Sequence, residues 1–126
     1  MTSRDLGRIP EDEHARLIYL SNVFGRLFVE MARSPAHERA ALLPQEVRQE
    51  VISIVDSALY AVVQILDGVI DPIRNDQLDL EFALLARLRE TSSGSTVDEV
   101  ELGPSGEGLC IGFHAWVEGD FGSATP

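Results

Sequence analysis

The sequence predicts an α+β fold: two long N-terminal helices packed on a small antiparallel β-sheet, with a short C-terminal helix or strand. The period of the apolar residues carries this. They recur every three or four positions as far as Ile70, and every second position from Leu78 onward. A helix pair ahead of a hairpin must also cover the hairpin's apolar face, which places the sheet on the helices. With 126 residues, 44% of them hydrophobic, the chain suffices for one core. Residues 10–122 are therefore read as a single domain, with 1–9 a flexible leader and 123–126 a flexible tail.

Pro10 suits a first helical turn, where its missing N–H has no partner to lose, and Glu11, Asp12 and Glu13 complement the positive helix end. Leu17, Leu20, Phe24, Leu27, Phe28 and Met31 then mark one helical face. Ser34-Pro35 is expected to end this helix, because a proline disfavours helical geometry in the residue before it. Residues 35–43 read as a short helical connector, and Pro44 opens the longest helix. Its seam runs Val47, Val51, Ile54, Ala58, Leu59, Val62, Ile65, Leu66 and Val69, and Ile52, Val55 and Val63 widen it to most of the circumference. That girth predicts a central helix with Ile54 and Leu66 in the core. Asp56 and Asp67, on its polar stripe, either face water or line a groove that receives a partner's arginine.

Gly68 and Asp71-Pro72 close the long helix, and residues 73–77 read as a turn. Leu78, Leu80, Phe82, Leu84, Ala86 and Leu88 then alternate with polar residues, as in a strand with one wet face. Residues 91–95 form a hairpin loop, and 97–102 a second, antiparallel strand. The glycine-rich loop at 103–108 lacks the lysine and the strand–glycine–helix spacing of a phosphate cradle. Residues 109–117 fit a strand, or a helix that packs Leu109, Phe113 and Trp116 on one face; the helix collects the larger groups.

Asp and Glu number 21 against 10 Lys and Arg, a formal net charge of -11. From Glu90 to the end there are seven acidic residues and no lysine or arginine. Such a field attracts cationic proteins and repels nucleic-acid phosphates and anionic membranes. The expected partner is thus a basic protein, with no nucleic acid and no membrane, and the chain is expected to be a monomer or weak homodimer. One cysteine, Cys110, excludes an internal disulfide, and the N-terminus lacks the apolar core of a secretory signal; a cytoplasmic location is expected.

The candidate partner-binding residues are Asp98, Glu99, Glu101, Glu107, Glu118 and Asp120, around the aromatic anchors Trp116 and Phe121. Trp116 is expected to be half buried. Cys110, His114 and Glu118 follow at helical spacing and are all types of zinc ligand, but a closed site needs four, and His14 and His37 lie in distant segments. No metal, cofactor or catalytic residue is assigned. A rival reading from another class is a small thiol- or metal-dependent enzyme using Cys110, His114, Glu107 and Glu118.

In size, acidity, sparse cysteine and α+β pattern, and in its acidic aromatic terminus FHAWVEGDFG, the whole chain resembles the small immunity proteins encoded beside bacterial toxins. The resemblance is one of pattern, so no functional residue is carried over from it. It implies a cytoplasmic protein that neutralises a cognate toxin, by plugging its active site or by holding an inactive conformation. An effector chaperone and an acidic nucleic-acid mimic are the nearest alternatives.

Overall fold

A computed structural model of the chain describes residues 5–104 and 108–123. It is α+β. Helix α1 spans Glu13–Phe28, a π-helical turn follows at Val29–Arg33, then α2 at Ser34–Ala40 and α3 at Gln45–Leu66. Two antiparallel hairpins come next, β1 (Ile73–Arg74) with β2 (Asp79–Leu80), and β3 (Leu84–Arg89) with β4 (Thr96–Gly103). Helix α4, Leu109–Trp116, closes the fold, so the last ambiguous segment is a helix.

Asp12 caps α1 by accepting the N–H of Ala15 at 2.9 Å, which starts the helix at Glu13 rather than at Pro10. The expected stop at Ser34-Pro35 does not occur. The backbone N–H of Ser34 bonds instead to the carbonyl of Val29, five residues back, and Pro35 falls in the first turn of α2. This wide turn accommodates the proline, whose absent N–H and bulky ring would break an α-helical ladder. It also projects Arg33, whose Nε and Nη2 donate to the Asp56 carboxylate at 3.1 and 3.2 Å.

The core is built around α4 rather than α3. Leu109, Phe113 and Trp116 pack with Tyr19 and Leu20 of α1, Val63 of α3 and Leu102 of β4. Gly25 of α1 and Gly112 of α4 leave room for the Trp116 indole, since a Cβ at either would lie 2.1 or 2.4 Å from a ring atom. The ring Nε1–H donates to Asn22 Oδ1 at 2.9 Å. Helix α3 lies against α4 and α2 by one face only, with Val63 its one buried residue. The sequence expectation of a central α3 is therefore corrected: Ile54 is 61% exposed and Leu66 only partly buried. Apolar girth alone does not choose which face of a helix the rest of the chain will cover.

The alternating stretch also divides. Residues 81–83 leave the strand geometry, so Leu78 and Leu80 belong to the small first hairpin and Leu84, Ala86 and Leu88 to the second. In the first hairpin Asn75 Oδ1 accepts the N–H groups of Gln77 and Leu78, both at 2.8 Å, which makes the turn. In the second, Ala86 faces Val100 and Leu88 faces Asp98 across the ladder. Leu84, Ala86 and Leu88 are the partly buried positions of β3, and the sheet reaches the helices through β4 and α1.

Candidate functional site

Between the N-terminal end of α1 and β4 lies an open cleft of about 920 Å³. Its walls are Glu11, Asp12, Glu13 and Arg16 on one side and the five consecutive residues Val97 to Glu101 on the other. Six carboxylates, one guanidinium and the imidazole of His14 thus share it. Among the described residues strand β4 pairs with β3 on one edge only, and no residue of β3 lines the cleft. Because consecutive residues of β4 do so, rather than alternate ones, the strand's unpaired edge borders the cleft.

Arg16 ties the walls together. Its Nη1 donates to Asp98 Oδ2 at 2.6 Å and its Nε to the carbonyl of Pro10 at 3.0 Å. Asp98 is on the half-buried side of β4, where Arg16 pairs with it across the cleft. The hydrogen bond from Arg16, with a second from the Glu99 N–H, holds the Asp98 carboxyl below the usual carboxylate range. Glu99 faces outward and meets Arg87 of β3 at 2.8 Å, an exposed pair that adds little stability.

Of the residues singled out from sequence, Asp98, Glu99 and Glu101 line this cleft together. Glu11 and Glu13 complete it and were missed; the sequence shows them as a helix-start signal, and only the fold sets them opposite β4. Glu107 lies outside the described residues. Trp116 is 1% exposed and belongs to the core, so it offers no surface to a partner. The indole is held there by Asn22 and by Phe24, whose ring meets it edge-on at 6.0 Å. Glu118 and Asp120 are exposed beyond α4, and Phe121 is half buried under the Arg26 guanidinium, 5.1 Å from its ring centroid. Arg26 and Arg16 are ten residues apart on α1, about 15 Å of helix, so these last three residues form a separate patch.

The surroundings of Cys110 disfavour its thiolate. Its thiol is beside the Asp67 carboxylate and the Tyr60 hydroxyl, and burial together with Asp67 pushes its ionisation up, the reverse of what a reactive thiolate requires. Asp67 has a structural role here: it accepts the N–H of Leu109 at 2.9 Å and of Cys110 at 3.2 Å, capping α4 from across the fold. Asp56 receives an arginine, but it is the chain's own Arg33, with His37 Nε2 a further 2.7 Å contact. Among the described residues no group of three or more His, Cys, Asp and Glu is placed to hold a metal ion. Compared with known protein families, curated proteins and solved structures, the chain finds no match.

Proposed function

We propose that this chain is a non-catalytic binding protein that neutralises a cationic protein partner by stoichiometric docking, as an immunity protein does a toxin. One observation carries the reading: the carboxylates of two segments some 85 residues apart, at Glu11–Glu13 and Asp98–Glu101, converge on one cleft beside an unpaired strand edge. An extended basic segment would add to that edge by main-chain hydrogen bonds, while its arginines or lysines meet Glu11, Glu13 and Glu101 and share Glu99 with Arg87. Arg16 keeps Asp98 occupied, so Asp98 shapes the cleft more than it contacts the partner. The exposed apolar face of α3 favours a second reading, an effector chaperone, which would use the same cleft on a basic client.

The test takes the protein encoded by the adjacent gene and measures its binding kinetics at low and high salt. The chain is compared with a variant carrying Glu11→Gln, Glu13→Gln, Glu99→Gln and Glu101→Gln, which leaves the Asp12 cap and the Arg16–Asp98 pair intact. At low salt the variant is expected to associate roughly tenfold more slowly with little change in dissociation, and the difference should shrink as salt screens it. Absence of binding by the unmodified chain, or equal association rates at low salt, overturns the reading.

A further inference from the structure

Helix α3 is apolar around most of its circumference, a pattern that suits a helix covered on all sides. The chain covers only the side carrying Leu59, Val63 and Leu66. On the opposite side Val47, Ile54, Ala58, Val62 and Ile65 are exposed at helical spacing, and no charged side chain interrupts them after Glu50. We propose that this face is a homodimer interface, in which two α3 helices pack antiparallel about a two-fold axis at Ala58 and each β1–β2 hairpin clasps the other copy.

The pattern is self-complementary. Reversing the helix about Ala58 sets Ile54 opposite Val62, Val51 opposite Ile65 and Ala58 opposite itself, the reciprocity that an isologous interface demands. Alanine at the axis lets the backbones approach closely, with larger side chains on either side to interlock. The face continues beyond the helix. Ile65, Ile70, Ile73, Leu80 and Phe82 line one cleft of about 310 Å³, and every residue from 68 to 83 is exposed. In an antiparallel pair this hairpin lies beside the N-terminal end of the other α3, where Leu42 is 85% exposed and Val47 is also uncovered.

Area and charge both select a second copy. Nine large apolar residues of this face, Leu42, Val47, Ile54, Val62, Ile65, Ile70, Ile73, Leu80 and Phe82, are each more than a third exposed, more apolar surface than the ~300–600 Å² patch usual on a monomer and on the order of the ~800 Å² per partner of a standard interface. The helical part of this face offers a cationic partner no carboxylate after Glu50, and in the hairpin cleft Asp71, Asp79 and Glu81 are accompanied by Arg74; Asp56 is on the other side of α3, bound to Arg33 and His37. Two copies of net charge -11 repel each other wherever acidic surfaces meet. The uncharged stretch of α3 is where that repulsion is least. This interface is independent of the acidic cleft, and its test does not involve a foreign partner.

The experiment is sedimentation equilibrium of the purified full chain over a range of concentrations. The expected species has twice the 13.8 kDa chain mass, and Ile54→Glu, whose site is exposed in the monomer, should shift it to monomer with an unchanged circular dichroism spectrum. In a Cys110→Ala background, Ala58→Cys should cross-link the copies on mild oxidation, whereas Ser92→Cys in the β3–β4 loop should not. A monomer at every concentration, an Ile54→Glu dimer of unaltered affinity, or equal cross-linking at both cysteines overturns the proposal. Flotation of a monomeric chain with phosphatidylcholine vesicles would also overturn it, assigning the face to a membrane, for which α3 is long and apolar enough.

Discussion

Replacing Gly25 by alanine in the middle of α1 should destabilise this protein, although the same change in an exposed helix is stabilising. Alanine is the better helix former by about 0.8–1.0 kcal/mol. Here, however, the added Cβ would stand 2.1 Å from Trp116 Cε2 and 2.2 Å from Cδ2, where an ordinary carbon contact is about 3.5–4.0 Å. The indole would have to retreat by more than an ångström. It has nowhere to go, because Gly112 closes on its other side and a shift breaks the 2.9 Å bond to Asn22. Overpacking of this kind costs about 1–3 kcal/mol and the lost hydrogen bond about 1, which leaves a net loss of roughly 1–3 after the helix gain. Urea denaturation followed by far-ultraviolet circular dichroism, at one fixed protein concentration, measures it. In a Trp116→Leu background the clash is gone, so Gly25→Ala should become neutral or stabilising, a coupling of about 2 kcal/mol or more. If Gly25→Ala raises the stability of the unmodified protein, the account of the core around Trp116 is wrong.

Two further outcomes follow from single carboxylates. Asp67→Ala removes the remote cap of α4 and should cost about 1–2 kcal/mol by urea denaturation, while Asp67→Asn, which still offers an oxygen, should recover part of that loss. Asp56 titrates below its ordinary value: its burial opposes ionisation, but the hydrogen bonds from Arg33 and His37 outweigh that. A carboxylate depressed in the folded state contributes stability that is complete above its unfolded value of about 4 and is lost as pH falls through the folded value. Asp56→Asn should therefore lower stability near neutral pH by roughly 1 kcal/mol and flatten its decline in acid. Parallel pH profiles for the variant and the unmodified protein would contradict this.

Periodicity by itself determined the kind and order of most elements, because the 3.6- and 2-residue repeats are local consequences of backbone geometry. The helices either side of Pro44, the hairpin joined at residues 91–95 and the packing face of α4 were legible in this way. Ser34-Pro35 misled for a local reason of another kind: one extra residue in a helical turn removes the conflict that proline creates, and no composition announces it. The remaining decisions were tertiary. Which of the two apolar faces of α3 is covered depends on where α4 docks, and α4 docks where Gly25 and Gly112 admit an indole. Trp116, an apparent surface anchor among acidic neighbours, is for that reason the middle of the core. The cleft divided in the same manner: Asp98, Glu99 and Glu101 stood out in a stretch without lysine or arginine, whereas Glu11 and Glu13 looked like helix-start residues until Arg16 bound Asp98 and set them opposite β4. A sequence states which side chains are apolar or charged and at what interval, but the partner of each face is settled by packing between segments that are remote in the chain.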